Sequence, residues 1–334
     1  MVFASAISSL GCGQVQTRSK AELFNTPEEA PKMMAPEHDY YVALGKECID
    51  KRITVDLFLA ITPKYPSVDV ATMAPICGVT GGDLYVYQDF DVTEHAEKLY
   101  YQVFRNMTKP VGTDVTIRIR CSTGLTACEF IGSFMRHQSS ELTLSTIDAD
   151  KVVSALFRSD DKLNDGQQAH CQFAMLYSDM EGVRKIRVFN YHWAVAKNLS
   201  SYFKSADVES VAQFKIRSEL SQAVRRGAKG TKEKLINDLV DMLSNYRTQC
   251  ASGNNPSQLV LPETLTLLPL YLLSAVKNPA FRLLTVCKID QKIHEIYRLI
   301  SLSMEALSYV LYPRVYKITD VGQCVSASHS LSII

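Results

Sequence analysis

The 334-residue chain lacks the short motifs that mark most enzymes and metal proteins. It has no Cys-x-x-Cys pair, no Gly-Lys-Ser/Thr phosphate loop and no Asp-x-Ser-x-Ser metal signature. Its nine cysteines (12, 48, 77, 121, 128, 171, 250, 287 and 324) never come closer than seven positions. An odd number at that spacing excludes a disulfide framework and a zinc site. Several of them fall in apolar patterns, where cysteine serves as a small hydrophobe, and a reducing, cytosolic setting fits. Charge of one sign is missing too. Lys plus Arg number 36 against 35 Asp plus Glu, a net +1, so no global field draws in nucleic acid or an acidic partner. Any electrostatic recognition is local. Long apolar runs are also few. The most apolar window, Leu259 to Val276, contains Pro262, Glu263 and Pro269 and reads as a core helix rather than a membrane span. Met1 to Leu10 lacks a basic start and meets Gly11 at once, so it reads as a buried strand rather than a signal peptide. Any membrane role is expected to be peripheral.

What is present divides into three regimes. Up to residue 109, apolar runs alternate with helical patterns. Strands are expected at 2–9, 53–61 and 84–87. Helices are expected at 38–51, at Val68 to Cys77 and at Thr93 to Asn106, with Thr93 as N-cap and a loop over 11–36. Such alternation implies a thin parallel sheet with helices on it. From 110 to 196 the period falls to two. Strands near 113–121, 125–134, 141–146, 151–158, 168–178 and 183–195, separated by turn residues, imply an antiparallel β-sandwich or barrel. From 197 to 310 the pattern is helical, with Asp207 as an N-cap and Leu265, Leu268, Leu272 and Val276 on one stripe. A loop is expected at 251–258, and Tyr312-Pro313 ends the last helix.

The stretch Thr113 to Phe134 carries the most chemistry. Ile117 and Ile119 point to one strand face, and Thr116, Arg118 and Arg120 to the other. Two guanidinium groups on one face offer about ten N–H donors to carboxylates. On pattern alone, a solvated strand face is the better explanation of them, since exposed charges are the norm.

Further stretches resemble a known family. These are Val55-Asp56-Leu57-Phe58 with Val68 to Thr72, Thr80-Gly81-Gly82 with Tyr85 and Tyr87, Arg118 to Leu125, Gln172 to Tyr177, Arg184 to Val188, Gln258 to Tyr271, and Tyr312 to Tyr316. In this order they are similar to the cargo-adaptor subunit of the inner COPII vesicle coat, the partner of the coat's GTPase-activating subunit. The turn residues look most like the branch with the vertebrate C and D paralogues. The resemblance implies a multidomain α+β chain. Residues 1–109 would be the C-terminal half of a trunk of von Willebrand A type, and 110–196 a β-sandwich. Residues 197–310 would be an all-α helical domain, and 311–334 the start of a gelsolin-like domain with an unmatched tail. It further implies that Arg118 and Arg120 clamp the acid of a cargo sorting signal. Leu176, Phe173 and Tyr177 are expected in the core by default, with one of them, Leu176 first, as the floor of that pocket. The implied partners are the GTPase-activating subunit, sorting-signal peptides and, peripherally, the cytoplasmic face of the endoplasmic reticulum membrane. No cofactor is expected, since the family's zinc ribbon has no counterpart here. The chain is then expected to be a fragment, a shortened product or a divergent gene model, with strand edges exposed.

Other candidates are weaker. The basic run Lys215, Arg217, Arg225, Arg226, Lys229, Lys232 and Lys234 could meet anionic lipid or form a solvated helix face. Asp56 and Asp69 are expected to be structural rather than metal ligands. An α/β hydrolase with Cys77 as nucleophile is the competing reading, and a non-coat scaffold a third.

Overall fold

The structure, a computed structural model, describes residues 1–312 except 17, 19, 20, 25, 139, 161, 162 and 252–257. The gelsolin-like start expected at 311–334 therefore lies outside the described residues beyond Tyr312, as does most of the loop expected at 251–258.

Residues 1–109 form a parallel sheet in the order β1 (Val2–Ala4), β2 (Leu57–Ala60), β3 (Leu84–Tyr87). It carries α1 (Tyr40–Asp50), α2 (Val70–Met73), α3 (Pro75–Thr80) and α4 (Val92–Thr108). Central β2 is buried along Leu57, Phe58 and Leu59, as its continuous apolar run requires. The strand expected at 2–9 is shorter, and it is not buried. β1 is an edge strand whose Val2 and Phe3 are exposed, with Phe3 stacked on Phe58. The N-cap of α4 is Asp91 rather than Thr93: the Asp91 carboxylate accepts the Thr93 N–H at 2.8 Å.

The next region is the sandwich. One sheet runs β10 (Arg184–Ala194), β9 (Gln168–Ser178), β4 (Val111–Cys121), β7 (Glu141–Asp148), β6 (Met135–Gln138), and a second pairs β5 (Leu125–Ile131) with β8 (Ser154–Ser159). The strand expected over 125–134 ends at Ile131, and β6, over residues not expected to form a strand, follows it. Gly132 at φ 155 turns the chain out of β5, and β6 then joins the other sheet. Val115, Ile117, Ile119, Leu142 and Leu144 form the core between the sheets. β10 is the edge, and all of its 11 residues are exposed.

The last region holds α5 (Leu199–Ser205), α6 (Val208–Ser221), α7 (Ala223–Cys250), α8 (Leu268–Lys277), α9 (Ile289–Ser301) and α10 (Met304–Leu311). Asp207 caps α6, accepting from Ser210 N at 2.8 Å. The helix expected over 263–277 is broken into a 3₁₀ turn, Glu263–Leu265, and α8, which has Pro269 in its first turn. Leu265, Leu268 and Leu272 are buried as the stripe requires. This region shares one core with the first: Leu59, Val70 and Ile76 pack in the same cluster as Ile216, Ile293 and Leu299. Asp290 at the start of α9 seals the joint. Its carboxylate accepts from Val68 N (3.0 Å), Val70 N (2.9 Å) and Ser67 Oγ (2.8 Å).

An ionic clasp ties the sandwich to the parallel sheet. Lys109 Nζ reaches Asp83 at 2.6 Å and Asp148 at 2.7 Å, and Lys151 Nζ reaches Asp83 at 2.5 Å. All four side chains are largely buried. Burial works against the Asp83 charge, yet Lys151 and Lys109 hold its carboxyl below the usual carboxylate range. Asp56, which accepts the Asp83 N–H at 2.8 Å, is instead raised by burial.

Because the folded-state pKa of Asp83 is depressed, its contribution is complete above the unfolded carboxylate value of about 4 and is lost as pH falls through the folded value. Asp83→Asn leaves two buried ammonium groups short of a counter-charge and is expected to cost about 3 kcal/mol at pH 7. Urea unfolding at pH 7 and at pH 3 checks this: the gap between wild type and variant should narrow in acid.

Candidate functional site

The alternation of β4 decides which side chains reach solvent. Ile117 and Ile119 are in the core, so Thr116, Arg118 and Arg120 face outward. The register with β9 pairs Thr116 with Leu176, Arg118 with Ala174 and Arg120 with Gln172. β10 continues the rows with Ile186, Val188 and Asn190. A β-bulge sets this register. Asp114, at φ 54, is the extra residue between the Thr113–Ser178 and Thr116–Leu176 pairs. Its carboxylate is held by Arg52 (3.1 Å) and Arg184 (2.9 Å). Without that residue Leu176 would oppose core-facing Val115 and sit inside. With it, Leu176 shares the outer face with both arginines, while Phe173 and Tyr177 pack inward against the core.

The structure thus brings Arg118, Arg120 and Leu176 onto one face. Arg118 is ion-paired to Glu141 on β7, with 47% of its side chain still exposed. Arg120 Nη1 donates to Gln172 Oε1 at 3.2 Å, and Gln172 Nε2 donates to Asn190 Oδ1 at 3.1 Å. Among the described residues, then, Arg120 meets a neutral amide rather than an acid. A cavity of about 340 Å³ opens beside it, lined by Ser122, His170, Gln172 and Asn190 among others. At the other end of the face Ile186 and Val188 are exposed beside Leu176. The arrangement can take a carboxylate at the guanidinium end and an apolar side chain at the other. Glu141, Gln172, Asn190, Ile186 and Val188 were not among the sequence candidates. The period of two in β9 and β10 contained them, but only the cross-strand register places them beside the arginines.

The remaining candidates resolve into structure. Asp69 is ion-paired to Arg18 at 2.6 Å and bonded to Thr72. No group of three or more His, Cys, Asp or Glu among the described residues could hold a metal ion. Of the basic run, Arg217 is buried and donates to Leu302 O at 2.7 Å, Lys215 and Lys234 pair with Asp238, and Arg226 pairs with Glu219. These four are committed to the fold, so the run is not a continuous lipid-facing surface. A larger cavity of about 550 Å³, between Arg18 and the start of α9, has polar walls already matched, with Arg18 on Asp69 and Asp290 on its three donors.

Cys77 does not serve as a nucleophile. Its thiol is 1% exposed, and burial, aided by the Asp56 charge, pushes its pKa far up. Thiol labelling of the native protein at pH 7.5 should leave Cys77 unmodified while Cys12, which is exposed, reacts readily. Fast labelling of Cys77 in the folded chain would restore the hydrolase reading.

A parallel sheet and a helical array that share one core, with a sandwich that has its own core fastened to them, define a multidomain α+β scaffold. Family models match it region by region: the Sec23/Sec24 trunk domain over residues 1–107, the Sec23/Sec24 beta-sandwich domain over 112–196 and the Sec23/Sec24 helical domain over 207–309. The chain belongs to the Sec23/Sec24 family. It is 33% identical over 96% of its length to the Arabidopsis thaliana protein transport protein SEC24 B, and 29% identical over 92% to human Sec24C. It spans 29% and 28% of the length of those two relatives. The crystal structure of the human COPII-coat protein Sec24c superposes with a TM-score of 0.85 at 28% identity, covering 93% of this chain and 40% of that one.

Proposed function

We propose that this protein is a cargo adaptor of the COPII coat, reading sorting signals of membrane cargo that leaves the endoplasmic reticulum. The observation that carries the reading is the pair Arg118 and Arg120, side by side on a rigid sheet face, with Arg120 open to a cavity. Guanidinium forks bind carboxylates in two-pronged fashion, and a sheet holds them at fixed spacing with little further loss of freedom on binding. The Leu176, Ile186 and Val188 patch suits a signal that places an apolar side chain beside its acid. Membership of the Sec23/Sec24 family, with relatives named as protein transport proteins and a COPII-coat structure, supports the same reading. In it the chain works at the cytoplasmic face of the endoplasmic reticulum, alongside the GTPase-activating inner-coat subunit, and needs no cofactor. Among the described residues no helix is long and apolar enough to cross a membrane, which suits attachment from one side.

Replacing Arg118 and Arg120 together by Ala is expected to weaken binding of an acidic signal peptide about 100-fold, since two charge-assisted contacts are lost. The circular dichroism spectrum should be unchanged. Unaltered affinity, measured by fluorescence anisotropy, means that the site is elsewhere. Glu141 occupies Arg118 in the absence of peptide. Glu141→Gln should therefore tighten binding by a factor of about 2–5, the worth of a partly exposed ion pair. Weaker binding in this variant would show that Glu141 positions Arg118 rather than competing for it.

A further inference from the structure

β4 and β9 set two thiols face to face. Cys121 is directly opposite Cys171 in the register. The kind of pair follows from the next rung. Ser122 N donates to His170 O at 2.8 Å, and His170 N donates to Ser122 Oγ at 2.9 Å. Ser122–His170 is thus the hydrogen-bonded rung, and in an antiparallel ladder the adjacent Cys121–Cys171 rung is non-hydrogen-bonded. In such rungs the Cα atoms stand about 4.5 Å apart and the side chains lie closest. That spacing falls inside the range of about 4.4–6.8 Å that a disulfide spans without moving the backbone. Both side chains belong to the sandwich core cluster, Cys171 within it and Cys121 packed against it. Cys171 is in the sandwich core, and Cys121 is half-buried and so the more accessible of the two to a small oxidant.

We propose that Cys121 and Cys171 are a redox dithiol that closes reversibly to a cross-strand disulfide on exposure to a peroxide. The half-buried Cys121 sulfur attacks the peroxide oxygen, becoming a sulfenic acid and releasing one water. Cys171 then displaces the sulfenic oxygen as a second water, and the S–S bond forms. Two thiols and one hydrogen peroxide give one disulfide and two waters, with two electrons passing from sulfur to oxygen. A small dithiol reverses the step. Burial, with Cys121 adjacent, pushes the Cys171 thiol up to about 11, so Cys171 is not the sulfur that makes the first attack. The bond would staple the strand bearing Arg118 and Arg120 to the strand bearing Leu176. It would form on the core-facing side of the sheet, so the outward arginines stay in place. The staple acts on stability and stands apart from the peptide-binding reading.

The test uses the full chain. It is treated with hydrogen peroxide at pH 7.5, alkylated, digested and analysed by mass spectrometry, and a second sample is melted before and after treatment with dithiothreitol. A peptide joining Cys121 to Cys171, two hydrogens lighter than the separate pair and lost on reduction, is expected. The melting temperature of the oxidised protein should rise by a few degrees and return on reduction. Neither change should occur in Cys121→Ser or in Cys171→Ala, each checked for native circular dichroism. Recovery of both cysteines as alkylated thiols, at a dose that fully oxidises exposed Cys12, overturns the proposal. So does their appearance only in bridges to other cysteines.

Discussion

The alternation of a single strand governs this molecule's surface chemistry. Ile117 and Ile119 are buried between the two sheets of the sandwich, and a pleated strand then has no choice but to send Arg118 and Arg120 outward. Apolar burial of the two isoleucines, at about 1.5–3 kcal/mol each, fixes the direction of the two guanidinium groups. The bulge at Asp114 makes the same decision for β9. It absorbs one residue and sets Leu176 outside and Phe173 inside. The face that carries Arg118, Arg120 and Leu176 emerges from packing constraints on other residues.

That face is held rigid by its attachments. The parallel sheet and the helical region share one continuous core, so they behave as one body on packing grounds. Asp290 reinforces the joint by satisfying backbone N–H groups at the start of α2 that would otherwise be buried without partners. The sandwich has a separate core and is fastened through the Asp83–Lys109–Asp148–Lys151 clasp. The clasp draws its strength from burial. Ammonium and carboxylate groups removed from water are costly alone and stable only together. The clasp thereby fixes the sandwich, and with it the outer face of β4, against the parallel sheet.

Much of this was legible in the sequence. The period of two in Thr116 to Arg120 identified the strand and the face of both arginines, because burial imposes that period directly. The shift from alternating to helical patterning near residue 197 located the third region for the same reason. What stayed hidden depends on contacts remote in the chain. Glu141 lies 23 positions from Arg118, and nothing local says that it is the partner. The apolar stretch after Met1 reads as buried, yet β1 is an edge strand, and edge position is a property of the assembled sheet. Thr93 is a good capping residue, but Asp91 lies two positions earlier and its carboxylate wins the N–H. The basic run around Lys229 looks like one surface in sequence, whereas helix geometry and Asp238 and Glu219 divide it into separate structural pairs.

The most direct test of the account is a crystal structure of the protein with a short acidic signal peptide bound. The account predicts the peptide carboxylate within about 2.7–2.9 Å of the Arg120 guanidinium nitrogens, with Arg118 drawn from Glu141 toward the same ligand and an apolar side chain resting on Leu176. A peptide seated elsewhere on the molecule, with the outer face of β4 empty and the Arg118–Glu141 pair undisturbed, would contradict it.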